Sequence, residues 1–249
     1  YLRNDPAQTR VHDVTTAEAS LTLRYAPGES FVNSKQRRIP VSLDAPIFTL
    51  THAMGFKGVL GGEYSFNRTE ASVWKRFWLP SSWGKIDCSI KAGAEWNTVP
   101  FPLLILPEAN LSYITQRETF NLINNMEFLN DRFASVSLSY DMNGKLFNRI
   151  PLIKNLKWRE MFRVRALWGT LTDKNNPFKS SNPDLFRFPM RDGKFTSFVM
   201  DPKIPYVEAS VGIYNIFKLL HIEYVHRFTY RDNPGINKNG VRFMVLMAF

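Results

Sequence analysis

Cysteine is almost absent from this chain. Cys88 is the single one, so no intrachain disulfide, zinc cluster or Cys-x-x-Cys redox pair can be built. Long apolar runs are missing as well. The nearest, Val99-Pro-Phe-Pro-Leu-Leu-Ile-Leu-Pro107, is short and carries three prolines. A spanning helix needs about 18 to 20 apolar residues, so a helical membrane protein is excluded. A membrane barrel is not, because its two strand faces alternate and average to ordinary hydropathy. The net charge of +10 is spread out, with no Lys/Arg-rich run and no nucleic-acid-binding motif. No nucleic-acid partner is therefore expected. Gly58, Gly61 and Gly62 are not followed by Lys-Ser/Thr, so they form no phosphate cradle. No cofactor or metal motif is found, and none is expected. The chain opens on Tyr1-Leu-Arg-Asn-Asp5 without a signal peptide, which leads us to expect the C-terminal piece of a longer protein.

What the chain does have is alternation. In its last ten residues, Val241, Phe243, Val245, Met247 and Phe249 share one face, opposite Arg242, Met244, Leu246 and Ala248. Period two with β-branched and aromatic residues predicts a strand. The clearest pattern is Ile86 to Trp96. Ile86, Cys88, Ile90, Ala92, Ala94 and Trp96 oppose Asp87, Ser89, Lys91, Gly93 and Glu95. Similar strands are expected at Thr16–Tyr25, Ile47–Met54, Glu63–Trp78, Thr119–Leu129, Phe133–Tyr140, Arg159–Leu171, Tyr206–Ile213 and Leu220–Tyr230. The alternation of Glu63–Trp78 is poor, so a bulge or bend is expected there.

That makes about ten strands. Several are long enough to cross a bilayer with tilt, whereas soluble strands run to about 5 or 6 residues. Aromatics make up 14% of the chain, enough for interfacial girdles. The fold predicted is an all-β, antiparallel transmembrane outer-membrane β-barrel. With Phe249 at the periplasmic end, Arg231–Gly240, Thr172–Pro205, Asn130–Asp131, Leu79–Gly84 and Ala26–Ala45 would lie outside. Asn215–Lys218, Asn143–Trp158, Thr98–Glu118 and Gly58–Gly62 would lie in the periplasm. The rule of long external loops and short periplasmic turns is then met only in part.

Several stretches carry a family resemblance. They are Phe120-Asn-Leu-Ile-Asn-Asn-Met-Glu-Phe128, Asp131-Arg132, Leu146-Phe-Asn-Arg-Ile-Pro-Leu152, Leu156-Lys-Trp-Arg-Glu160, Tyr206-Val-Glu-Ala-Ser-Val-Gly-Ile-Tyr-Asn-Ile-Phe217 and Tyr230-Arg-Asp-Asn-Pro-Gly235. From about Thr16 to Phe249 the chain resembles the C-terminal half of a Bacteroidota outer-membrane barrel family of unknown function. That family carries a carboxypeptidase-regulatory-like domain at its N-terminus. The resemblance implies an outer-membrane location, a barrel larger than this chain and no catalytic residues. It also implies that the barrel-assembly machinery reads the last strand, with Phe249 as its signal. The outer-membrane assembly protein superfamily is a looser likeness, and its Arg-Gly-Phe loop motif is absent.

The expected site residues are charges. Asp87, Lys91, Glu95, Arg163, Arg165, His221, Glu223 and Arg227 would face the lumen as a charge network, more naturally a salt-bridged filling than an acid–base set. Lys145, Arg149, Lys154, Lys157 and Arg159 form a basic cluster expected in the periplasm, facing solvent or lipid phosphates. His226 shares the apolar parity with no serine beside it, as a girdle residue would. The function expected is a non-enzymatic outer-membrane component, a structural or accessory subunit of an envelope or transport assembly. A solute pore and a barrel hydrolase are the alternatives. The partners expected are outer-membrane lipid, lipopolysaccharide and other outer-membrane proteins or lipoproteins.

Overall fold

The computed structural model describes residues 1–33, 35, 37–116 and 118–245. Nine antiparallel strands form one sheet in chain order. We number them β1 (Glu18–Tyr25), β2 (Ile47–Gly55), β3 (Phe66–Trp78), β4 (Lys85–Glu95), β5 (Arg132–Asp141), β6 (Arg159–Thr170), β7 (Tyr206–Ile216), β8 (Leu220–Arg227) and β9 (Asn239–Val245). Each strand pairs with the next, the simplest route for consecutive alternating segments.

The alternation decides which side of the sheet each residue takes. One face carries Asp87, Ser89 and Lys91 of β4, opposite Arg76, Trp74 and Ser72 of β3 and Ser139, Ser137 and Ser135 of β5. The sheet curls round this face, because residues from β2 to β9 line one shared cavity. The other face is apolar and bare. Leu23, Leu50, Val73, Ile90, Leu138, Val164, Val211, Tyr224 and Val241, one from each strand, are all exposed. The register joins them into a band running across the whole sheet.

The buried core lies elsewhere, in the connections. Residues 96–131 and 171–205 fold into the curl at one end. Val99, Phe101, Leu104 and Leu129 pack there against Phe186 and Phe188, with Phe66 and Leu171 of the wall. A second cluster joins Phe120, Ile123 and Phe128 to Met200, Leu167 and Tyr206. The inward residues of the sheet therefore pack against the chain's own plug.

Two expectations need correction. Thr119–Leu129 is no strand of the sheet. Phe120, Asn121, Leu122 and Ile123 are all buried, so the segment has no exposed face, and Met126 takes a left-handed φ of 58°. Its Asn121 and Leu122 amides bond to Glu208 of the wall, and those of Phe120, Asn124, Glu127 and Leu129 bond within the plug, instead of to a ladder. Losing that strand moves every earlier connection to the other end. The long connections 96–131 and 171–205 now share one end. The tight turns 79–84 and 217–219 share the other, where β9 finishes. Second, β3 has no bulge: its pairing with β2 and β4 is continuous, because Arg68, Glu70 and Arg76 simply share the inner face with Phe66 and Trp74. The register shift falls in β7, between Ile213 and Ile216. The sheet does not close on itself among the described residues, in line with a chain expected to be part of a larger barrel. The all-β antiparallel class stands, but β1 and β9 are the two edges of the sheet. Leu246 to Phe249, with the expected aromatic signal Phe249, lie outside the described residues.

Candidate functional site

The inner wall holds the plug through a set of buried ionic and hydrogen-bonded anchors. Glu208 of β7 is the most connected. Its carboxylate accepts the Asn121 amide at 2.8 Å, the Leu122 amide at 3.0 Å and the Tyr206 hydroxyl at 2.9 Å. The Arg165 guanidinium completes the set at 3.2 Å. Arg227 of β8 makes the second anchor. It grips Glu127 of the plug at 2.6 Å and 3.1 Å and donates to the backbone carbonyls of Leu122, Thr229 and Tyr230. Its guanidinium also lies 4.8 Å from the Tyr206 ring centre, a cation–π contact shielded from water. Lys91 of β4 reaches Glu108 and Glu118 of the plug, each at 3.0 Å. Arg242 of β9 donates to the Asn121 carbonyl.

Arg165, Arg227 and Lys91 are each paired with a carboxylate, as burial favours, whereas Arg242 is held by backbone carbonyls. Arg165, Glu208, Arg227 and Glu127 are all among the most deeply buried side chains of the molecule. At the neck of the plug, Asp131 accepts the Thr172 amide at 3.0 Å, the Thr172 hydroxyl and the Asn175 side-chain amide at 2.9 Å. This joins the two inserted connections to each other.

The expected inner charges therefore separate into several clusters. Arg163, His221 and Glu223 meet, with Arg163 at 2.9 Å and His221 at 3.2 Å from the carboxylate. Arg227 leaves that face-neighbour set for Glu127. Asp87 pairs across the sheet with Arg76 at 2.6 Å. Glu95 accepts the Asn67 and Asn97 amides at 3.2 Å and 3.1 Å. Sequence reasoning missed the partners Glu127, Glu208, Asp131 and Arg242. Glu208 was visible on the polar parity between Tyr206 and Ser210, but Glu127 lay in a segment read as a strand.

The Glu223 cluster also bears on hydrolysis. Ser210 donates to Glu223, and so does His221 if its Nε2 carries the proton. The carboxylate sits between serine and histidine, so the imidazole is not placed to activate the hydroxyl. His226 faces outward and packs edge-on against Phe228. Among the described residues, no group of three or more His, Cys, Asp or Glu is arranged to hold a metal.

Between the plug and the end with the tight turns lies an open cavity of about 990 Å³. Ser89, Ser137, Ser139, Trp74 and Tyr214 are in its wall, beside the Arg76–Asp87 pair. Of the expected basic cluster, Lys145 and Arg149 stack over the Trp83 ring, at 5.1 Å and 6.0 Å. Lys154 and Lys157 sit on and just after a short helix, Pro151–Leu156. Arg159 departs from them, lying over Tyr214 at 6.0 Å.

Fold and site together define an all-β antiparallel sheet protein whose charged inner face is filled by two of its own connections. Residues 1–178 match a family model described as a family of unknown function (DUF5686), C-terminal domain, and the chain belongs to that family. No curated protein matches the sequence significantly.

Proposed function

We propose that this chain is part of a plugged outer-membrane β-barrel with a non-enzymatic, structural or accessory role in an envelope assembly. The observation that carries this is the inversion of the sheet. A band of bare apolar side chains crosses all the strands on one face, while ion pairs and the plug fill the other. In water such a band would be a large aggregation-prone patch. In a bilayer it is the lipid face of a barrel with a polar interior. The two plug-forming connections, 96–131 and 171–205, share one end, while the tight turns 79–84 and 217–219 share the other with the longer 26–46 and 142–158. The rule of long external loops thus favours an external plug end and a periplasmic turn end in part. β1 is an edge strand, and the outer edge of β9 is met by the plug at Phe243, whose backbone bonds to Tyr113 and Thr115. The remaining edge positions and the family's description as a C-terminal domain support a larger barrel with strands beyond these nine. The Bacteroidota origin and the N-terminal carboxypeptidase-regulatory-like domain rest on the sequence resemblance alone.

A solute pore is the second reading, favoured by the open cavity. The plug anchors weigh against free conduction, since several buried ion pairs would have to break. Fractionation and conductance test both together. The full-length protein should sediment with outer-membrane markers and show heat-modifiable migration on gels. In planar bilayers it should stay closed. Recovery in the soluble fraction contradicts the membrane reading, and steady ion conductance contradicts the scaffold reading.

A further inference from the structure

The turn end of the sheet carries a patch that the plug does not use. Three neighbouring connections, 79–84, 142–158 and 217–219, contain no aspartate or glutamate. They contain Lys145, Arg149, Lys154, Lys157 and Lys218. None of these five is in an ion pair among the described residues. The other connections, by contrast, mix both signs, as in Asp173, Lys174, Asp184 and Arg187 of 171–205 at the plug end and Glu29, Arg38 and Asp44 of 26–46 at the turn end. Beside the cations stand apolar side chains with nothing packed over them. Leu152 is 83% exposed and Phe217 80% exposed, with Ile150, Leu156 and Leu219 close to half exposed.

The seating of this patch places it on the outer flank, away from the cavity. Tyr140 and Glu160 are paired with Phe162 and Ile213, residues of the outward apolar face. Tyr140 donates its hydroxyl to the Trp83 carbonyl at 3.1 Å. Glu160 accepts the Leu146 amide at 2.6 Å. Lys145 donates to the Ser81 carbonyl at 2.8 Å, and Asn215 to the Lys157 carbonyl at 2.7 Å. The connection 142–158 is thus fastened to both neighbouring turns and to the outward side of the wall. Its short helix presents leucine and lysine together, the composition of an interfacial segment: apolar groups enter the acyl boundary and ammonium groups stay at the phosphates.

We propose that this rim is a binding surface for anionic phospholipid headgroups, with Lys154 and Lys157 meeting the phosphates and Leu152 and Phe217 entering the acyl boundary. Within these three connections the charge is one-sided, the flanking Asp141 and Glu160 being taken by the Asn143 and Leu146 amides, and each lysine near an anionic lipid surface adds to the attraction. This rests on the membrane reading above, and it identifies the turn end with the leaflet that holds phospholipid. The source named is phospholipid, not the phosphates of lipid A.

The test is native mass spectrometry of the full-length protein released from mixed micelles. The micelles contain dioleoyl phosphatidylglycerol, dioleoyl phosphatidylcholine or purified lipid A. We expect retained phosphatidylglycerol in preference to phosphatidylcholine. In the Lys154→Glu/Lys157→Glu variant that preference should drop by roughly tenfold or more. The plug-end control Lys203→Glu should keep it. Heat-modifiable migration, unchanged in all three proteins, shows that each is folded. Equal retention of both phospholipids by the wild type overturns the inference, as does unchanged retention in the double variant. Lipid A retained through these two lysines in place of phosphatidylglycerol also overturns it. Each of these results is read on protein that is already detergent-inserted, so it leaves the membrane reading untouched. A protein that never enters micelles removes that reading first.

Discussion

Glu127 and Arg227 show what a single side chain does in this molecule. Both are enclosed, and each satisfies the other's charge. Removing one partner leaves a buried charge alone, which typically costs about 3–5 kcal/mol. Arg227→Met or Glu127→Leu should therefore lower the melting temperature of the refolded protein and expose residues 96–131 to limited proteolysis. The double variant should recover part of the loss, because no lone charge remains. A double variant worse than both singles would show that the pair is not the anchor. Tyr230 makes a weaker clamp on the other connection. Its hydroxyl donates to the Ile204 carbonyl at 2.7 Å and accepts the Asp201 amide at 3.0 Å. Tyr230→Phe should cost about 1 kcal/mol, read from the same melts. Burial pushes the Tyr230 phenol above its ordinary value of 10.0. A raised folded value favours the neutral phenol. The clamp is therefore fully present below the unfolded tyrosine range and is lost as pH rises through the folded value. Proteolysis at residues 201–204 should accelerate only in strong alkali, and acceleration near neutral pH would contradict the assignment.

At the scale of elements, the sequence was legible wherever one face met polar surroundings and the other did not. Ile86 to Trp96 alternates cleanly because Asp87, Ser89 and Lys91 look into the cavity and Ile86, Cys88 and Ile90 look away. Thr119–Leu129 misled for the opposite reason. Phe120, Leu122 and Phe128 share a parity, but the segment is enclosed by wall and plug, and its Asn121 and Leu122 amides are taken by Glu208. Local periodicity cannot distinguish an apolar segment in a sheet from one inside it. The parity itself is testable on β4. Ala92→Arg on the outward face should impair insertion by about 2–4 kcal/mol if it lies near the midplane. Ser89→Arg on the inner face should be tolerated better. Folding yields into vesicles, measured by heat-modifiable gel shift, read the difference. Equal yields would mean that the two faces do not meet different solvents.

For the molecule as a whole, the charges on the inner face were legible as a set but not as a wiring diagram. Arg163, Glu223 and His221 do meet, whereas Arg227, Lys91 and Arg165 reach partners in the plug. No strand pattern could have located those partners, because they come from connections far away in sequence. The same long connections explain why an odd sheet of nine strands forms a filled unit while its two edges stay apart. An uncovered edge in hydrocarbon would leave unbonded amides and carbonyls, each costing several kcal/mol. The plug covers β9 at Phe243 through Tyr113 and Thr115. Elsewhere further strands or another protein must cover the edges if the apolar band is in lipid.

The central claim is that the outward face meets lipid and the inner face does not. Spin labels placed singly at residues 133–140 of β5, in a Cys88→Ser background reconstituted in nanodiscs, test it most directly. Collision rates with oxygen, which concentrates in the bilayer, should peak at positions 134, 136 and 138 and fall at 133, 135 and 137. The same rates at both parities, or the opposite phase, would contradict the account.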